Sequence, residues 1–359
     1  MTHPISIQLT NNFKPIPTDV KSSFGTTFTD HMFVMEYHEG QGWHDPRIVP
    51  YGNFDLSPAT SMLHYGQAIF DGLKGFHGDD GVVRLFRPEA HAARVNRSAA
   101  QLCIPPMDPE MIVQSFLRLV DVDRAWVPSA RGTAIYLRPT IIASEAFISV
   151  RPAKSYLYFV ILSPVGAYYA EGNEPVSLLA TEEFTRASPG GLGAAKTPAN
   201  YAASLMAAEH AKKAGFTQVL WLDGVERRWL EEVGTMNLMV KIGGQVRTPP
   251  LGGTILAGVT RDSALTLMRD WGLDVVEKPI SIEELVASVR DGTLEEMWGT
   301  GTAAVVSPVG MVGYRGERFQ VADGRAGKVT ERLYEAITSI QYGAAPDPHG
   351  WLAPVPLLN

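Results

Sequence analysis

The sequence predicts an α/β protein, α+β in type, folded as two domains divided near residue 165. Three observations carry this. The chain has 359 residues, more than one core of ordinary size accommodates. Strand-patterned runs alternate with helix-patterned ones along its length. A stretch rich in proline, glycine and tyrosine, 164–172, follows the apolar run 155–163 and reads as a connection. The expected boundaries are 1–163 for a small N-terminal domain, 164–175 for a linker loop and 176–359 for a larger C-terminal domain.

Residues 1–22 are polar and are expected to lie loosely over a neighbouring surface. A strand pattern starts at Thr26 and runs to Tyr37, closed by a turn at 39–43. His31 and His38 have no carboxylate or histidine at ligand spacing, so both read as structural and no metal site is expected. The segment 63–76, dense in aromatics and glycine, reads by residue type as a core strand with a bulge. A short strand follows at 82–87. Pro88 then opens a helix on which Arg94 and Arg97 take adjacent faces. Either guanidinium offers the fork that grips a phosphate. Asp108, with Pro109 and Glu110, caps a second helix. In the strand 135–142, Tyr136 and Arg138 are two apart and share a face. A loop spans 143–150, and 155–163 is the last strand of the first domain.

In the second half, 190–201 reads Gly-Gly-Leu-Gly-Ala-Ala-Lys-Thr-Pro-Ala-Asn-Tyr. Lys196 follows residues with almost no side chains, where another molecule can approach the backbone. An amine kept in apolar surroundings loses the solvation of its ammonium form and becomes nucleophilic near neutral pH. An alanine-rich helix covers 199–214, with Tyr201 near its start, and strands cover 218–222 and 235–240. Glu231 and Glu232 are adjacent, so on an extended chain they face opposite ways. Helix-opening residues 258–263 present free amides that suit a phosphate dianion, although Thr260 reads equally as a simple cap. A glycine-rich turn is expected at 299–304 and an amphipathic helix at 327–342. Lysine, tyrosine and a carboxylate are the set that pyridoxal phosphate needs, for its Schiff base, ring oxygen and ring nitrogen.

Gly-Gly-Leu-Gly-Ala-Ala-Lys with Asn-Tyr, then Gln-Val-Leu-Trp-Leu at 218–222 and Glu-Val-Gly-Thr-Met-Asn at 232–237, resemble the branched-chain amino acid aminotransferases. These belong to the fold type IV group of pyridoxal phosphate enzymes. The resemblance runs from about residue 24 to about residue 343. It implies a two-domain enzyme with the cofactor at the domain interface, and a homodimer, since pocket residues come from both chains. It assigns Lys196 as the catalytic, cofactor-bearing lysine. It chooses Arg94 over Arg97, and Glu232 over Glu231, which is then expected to be solvated. Tyr201, Val259, Thr260 and Thr302 complete the implied cofactor contacts. Phe24, Tyr65, Phe70, Tyr136, Arg138, Ile148, Val150, Thr235 and Ala303 are the implied substrate contacts, with Ile148 and Val150 reaching the partner subunit's site.

The implied reaction moves the amino group of L-leucine, L-isoleucine or L-valine to 2-oxoglutarate, giving branched 2-oxo acids and L-glutamate. The pocket must then accept an aliphatic side chain and also glutamate's second carboxylate. A buried unpaired carboxylate costs several kcal/mol, so Arg138, with Tyr65 and Tyr136, is expected to take that group. Some mammalian members carry a Cys-x-x-Cys pair where this chain has Ala304 and Ser307, so their redox switching is not expected. Two other readings stand beside this one. One is another fold type IV enzyme, a D-amino acid aminotransferase or an aminodeoxychorismate lyase. The other is a non-catalytic pyridoxal phosphate binder.

Composition bounds the setting. Hydrophobic residues make up 45% and charged residues 19%, as in soluble globular proteins, and the formal net charge of -7 argues against nucleic acid. No apolar run is long enough to span a bilayer, and the first residues lack the pattern of a secretory signal. The one cysteine, Cys103, fits a reducing compartment. A cytoplasmic location is expected.

Overall fold

A computed structural model of the chain describes residues 4–20, 25–166 and 174–357. Phe24, and 167–173 of the expected linker, lie outside the described residues. The chain divides into two compact units. The first is Met1–Tyr168 with Ala195–Pro198 and Ser339–Asn359; the second is Tyr169–Ala194 with Ala199–Thr338. Lys196 therefore belongs to the first unit.

The first unit is built on a nine-stranded sheet. At its centre, Ser155–Val165 runs antiparallel to Ala134–Ala143 on one side and to His31–His38 on the other. These strands are rich in β-branched and aromatic residues, which suit a pleated, buried surface. Phe33, Ile135, Leu137, Tyr158 and Val160 are all fully buried. The helices Pro88–Gln101 and Pro109–Val122 send Ala92, Val95, Ile112, Phe116 and Leu119 into the same core. Asp108 caps the second of them, its side chain accepting from the amide of Glu110 at 3.0 Å. The N-terminal segment contributes a short strand, Ser6–Ile7, parallel to Gly42–Pro50. His31 is buried, with Nδ1 2.6 Å from Asp123 Oδ1, which is a structural tie.

The segment expected as one bulged strand starts instead with the helix Ser61–Tyr65. Its remainder forms two strands, Ala68–Phe70 and Leu73–His77, which both pair with Ala134–Ala143. The interruption between them falls at Asp71 and Gly72, and it leaves the Asp71 carboxylate fully buried. A Cβ on Gly72 would overlap the Tyr136 hydroxyl and ring. Glycine is therefore what lets Tyr136 lie against this break.

The second unit is also organised by a nine-stranded sheet. Its path runs Leu230–Val233, Gln218–Leu222, Val176–Thr181, Val305–Tyr314, Leu294–Gly301, Met236–Ile242, Gln245–Thr248 and Val275–Glu277. Leu230–Val233 pairs also with Met236–Ile242, so six of these strands close into a ring. Leu178, Leu220, Leu238, Val240 and Val312 fill its core. The expected turn at 299–304 is shorter than the sequence suggested. The strand continues through Gly301, and only 302–304 turn. Gly299 serves close packing, because a Cβ there would sit 2.8 Å from Met236 Cε. Sequence alone gives glycine in a strand and glycine in a loop the same appearance.

Replacing Gly72 with alanine should force the Tyr136 ring aside. Overpacking of this kind costs about 1–3 kcal/mol, so thermal or denaturant unfolding should show a loss of that size. An unchanged midpoint would mean that Tyr136 moves away without resistance.

Candidate active site

Lys196 is fixed to the first unit through its backbone. Its amide donates to Ser98 Oγ at 2.9 Å, and its carbonyl accepts from the amide of Phe70 at 3.0 Å. Next to it, Thr197 Oγ1 donates to the Ala68 carbonyl at 2.8 Å. The lysine is thus held between the strand Ala68–Phe70 and the helix Pro88–Gln101. Its Nζ lies 5.0 Å from the centroid of the Phe70 ring. The Arg138 guanidinium carbon is 4.8 Å from the same ring, and Arg138 Nη2 donates to the Tyr136 hydroxyl at 3.0 Å. Burial pushes the Lys196 amine down to about 8, and the charges of Arg94 and Arg138 act in the same direction. Asp71 opposes them.

The helix Pro88–Gln101 turns Arg94 inward, where it is 4% exposed, and leaves Arg97 exposed. Arg94 Nε and Nη2 donate to the two Asp71 oxygens at 2.8 and 2.7 Å, and His91 Nδ1 lies 2.7 Å from Asp71 Oδ1. Burial alone would raise the Asp71 carboxyl, but Arg94 and His91 outweigh it and hold the group well below the usual carboxylate range. Burial lowers His91, with Asp71 opposing. Neither Asp71 nor His91 stood out in the sequence reading. The signals were present: an aspartate inside the apolar run 69–73, and a histidine three residues before Arg94 on one helix. Lys74, cross-strand from Tyr136, is also buried, and desolvation pushes it to about 8.

In the second unit Glu232 is buried in the strand Leu230–Val233. Its Oε1 accepts from the Leu256 amide at 2.9 Å and from Asn237 Nδ2 at 3.2 Å. Its Oε2 forms an ion pair with Arg186 Nε at 2.9 Å. The expectation that Glu231 is solvated does not hold. Glu231 is 6% exposed and accepts from Thr254 Oγ1 at 2.5 Å. The two carboxylates do alternate along the strand, but the segment carrying Thr254 covers the side that Glu231 faces. Burial raises the Glu231 carboxyl, with the Thr254 hydroxyl and Arg186 acting against it.

Val259 and Thr260 are buried in the first turn of the helix Val259–Asp270, whose N-cap, Gly258, makes no side-chain cap bond. Tyr201 is partly buried in the helix Pro198–Lys213. Thr302 and Ala303 lie on the turn after Leu294–Gly301, and Thr235 is exposed on the turn before Met236–Ile242. Tyr65, Ile148 and Val150 are 43%, 67% and 85% exposed. Phe24 is outside the described residues. The structure thus gathers Lys196, Phe70, Arg94, Tyr136 and Arg138 in the first unit, and sets Glu232 among its own partners in the second. Among the described residues no group of three or more histidine, cysteine, aspartate or glutamate side chains could hold a metal ion. Among them, too, no helix is long and apolar enough to cross a membrane.

An amine of lowered pKa beside arginines is the equipment of an enzyme that works through an imine on an anionic cofactor. Residues 68–312 match the family model described as amino-transferase class IV. Branched-chain-amino-acid aminotransferase 2 of Bacillus subtilis is 48% identical over 99% of this chain and 98% of its own length. Among solved structures, the branched-chain amino acid aminotransferase of Escherichia coli superposes with a TM-score of 0.77 at 26% identity, covering 91% of this chain and 99% of that one. A further branched-chain amino acid aminotransferase, the T.th. enzyme, has been solved with 4-methylvaleric acid and with N-(5'-phosphopyridoxyl)-L-glutamate. Both structures have a TM-score of 0.71 and cover 90% of this chain and 98% of theirs, at 26% and 25% identity respectively. The chain belongs to the class IV aminotransferases, which depend on pyridoxal phosphate. Its full-length relatives within that family are branched-chain amino acid aminotransferases.

In cofactor-free protein, acylation of Lys196 followed against pH should titrate near 8 rather than near the ordinary 10.5. Asp71 favours the ammonium form, so Asp71→Asn should lower that midpoint further. Peptide mass analysis at each pH measures both. A midpoint near 10.5 would mean that the surroundings of Lys196 do not disfavour its charge.

Proposed function

We propose that this chain is a branched-chain amino acid aminotransferase, acting in the cytoplasm as a homodimer. It transfers the amino group of L-leucine, L-isoleucine or L-valine to 2-oxoglutarate and releases branched 2-oxo acids and L-glutamate. The observation that carries the reading is the Lys196 amine, at about 8, against the same Phe70 ring as Arg138, which donates to Tyr136. The donor set fits pyridoxal phosphate: a low-pKa amine, a buried arginine, a helix start capped by glycine and a buried carboxylate.

Bound to Lys196, pyridoxal phosphate supplies an electron sink for the charge left at the substrate's α-carbon. Lys196 Nζ, once released, takes the proton from that carbon and returns it, since a base near 8 exchanges protons readily at neutral pH. Arg94, the first turn at Val259 and Thr260, and Thr302 would hold the phosphate. Tyr201 would donate to the ring oxygen, and Glu232 would hold the proton of the ring nitrogen. Thr235 and Ala303 would orient the substrate, whose side chain would rest among Tyr65, Phe70 and Tyr136. The exposure of Ile148 and Val150 supports their reaching the partner's site.

The aliphatic acid and the glutamate adduct bound by the T.th. enzyme support a pocket that takes both kinds of substrate. Phe70 offers the apolar surface, and Arg138 the charge for a second carboxylate. One methylene changes specificity by only ~1–3 kcal/mol, so leucine, isoleucine and valine should all react.

The visible spectrum of the purified holoprotein should bleach with L-leucine and not with D-leucine. Bleaching by D-leucine alone would indicate a D-amino acid aminotransferase, and no change with either would indicate a binder or a lyase. Arg138→Met keeps volume and deletes the charge. A charge-assisted contact is worth about 1.5–3 kcal/mol, so the glutamate half-reaction should slow by about 10- to 100-fold more than the leucine half-reaction. Stopped-flow with each amino acid measures the two separately. Equal losses would make Arg138 structural.

A further inference from the structure

Two adjacent glutamates are buried in the strand Leu230–Val233, yet they are treated differently. Glu232 is met by the Leu256 amide, the Asn237 side-chain amide and the Arg186 guanidinium. Glu231 is met by one hydroxyl, that of Thr254, and its Oε2 has no hydrogen-bond partner among the described residues. A carboxylate facing N–H donors and a cation is favoured as the anion, whereas one facing a lone hydroxyl in a buried place is not. Arg186 adds to this asymmetry, because it pairs with Glu232 and acts on Glu231 through its charge alone.

Its placement is itself over-determined. Arg186 Nη2 donates to the Gly193 carbonyl at 3.1 Å and to the Thr254 carbonyl. Those two backbone segments are pressed together, since a Cβ on Gly193 would run into the Thr254 carbonyl. The side chains of Arg186 and Glu232 are 8% and 5% exposed. A guanidinium is a rigid planar fork, so fixing Nη2 on two carbonyls also fixes where its charge lies beside Glu232, which Nε meets as an ion pair without hydrogen-bond alignment.

We propose that Arg186 is a positioning residue for the transamination reaction: anchored on the Gly193 and Thr254 carbonyls, it fixes Glu232 as an oriented anion for the protonated ring nitrogen of the cofactor. The proposal rests on the reading of Glu232 as the ring-nitrogen partner. Without Arg186, Glu232 would lose its cationic partner while still bearing the cost of a buried charge, and its hold on the ring proton would weaken. The ring then loses positive charge, and the lysine-bound cofactor gives up its own proton at higher pH.

The test is a pH titration of the visible band of the holoprotein, with bound cofactor quantified after dialysis. Glu232→Gln, Arg186→Met and Arg186→Lys are compared with the parent. Arg186→Met should raise the midpoint in the same direction as Glu232→Gln, by about one unit, a tenfold change in the proton equilibrium. Arg186→Lys, which keeps a cation, should restore most of the parental value. Where Arg186→Met does not fold, Arg186→Gln keeps donors without the charge and is expected to shift likewise. A parental midpoint in the methionine or glutamine variant, with Glu232→Gln shifted, would overturn the role of Arg186 and leave that of Glu232 standing. A lysine variant shifted as far as the methionine variant would also overturn it. A parental midpoint in Glu232→Gln would remove the reading of Glu232, and the proposal with it.

Discussion

The proposed chemistry depends on keeping a lysine amine where its ammonium form is disfavoured. Lys196 achieves this through burial and through the charges of Arg94 and Arg138. Burying cations near one another is costly unless something offsets them. Asp71 supplies the offset, fully buried and gripped at both oxygens by Arg94. The aspartate leaves Arg94 available as a charge yet limits how far the Lys196 amine falls. The break in the strand at Asp71 and Gly72 is thus part of the electrostatics of the lysine. It places the carboxylate inward and makes room for Tyr136.

The same rule governs the second unit. The strand Leu230–Val233 is buried along its whole length, so a glutamate on it needs partners. Glu232 meets two N–H donors and the Arg186 guanidinium, whereas Glu231 meets the Thr254 hydroxyl, and burial raises the Glu231 carboxyl. Adjacent residues of identical type acquire different chemistry from their surroundings.

Much of this was legible in the sequence. The Pro88 and Asp108 helix starts and the shared face of Tyr136 and Arg138 follow from local rules, whereas Gly193, read as leaving the backbone open, admits the Thr254 backbone. Partners remote in sequence were not legible. Arg94 meets Asp71 across 23 residues, and Leu256 meets Glu232 across 24. Arg186 is farther still from Glu232. A period of two correctly separates the faces of Glu231 and Glu232, but it cannot say that a later segment covers the outer face. Nor can it distinguish Gly299, small to admit Met236, from a glycine that bends a loop.

The setting of Arg138 bears on dual specificity. Its charge lies over two aromatic faces, 4.8 Å from the Phe70 centroid and 5.2 Å from that of Tyr136. Its Nη2 donates to a phenol, and its buried Nε has no hydrogen-bond partner among the described residues. Aromatic faces stabilise a cation by about 0.5–2 kcal/mol each, less than a well-made buried ion pair. That intermediate degree of satisfaction suits a site with two kinds of visitor. An arginine fully paired with a protein carboxylate would have little to offer the second carboxylate of glutamate. An arginine with no partner would draw water into the pocket and penalise leucine. On the proposed role of Arg138, a guanidinium held by rings would present an apolar flank to an aliphatic side chain and keep donor capacity for an acidic one.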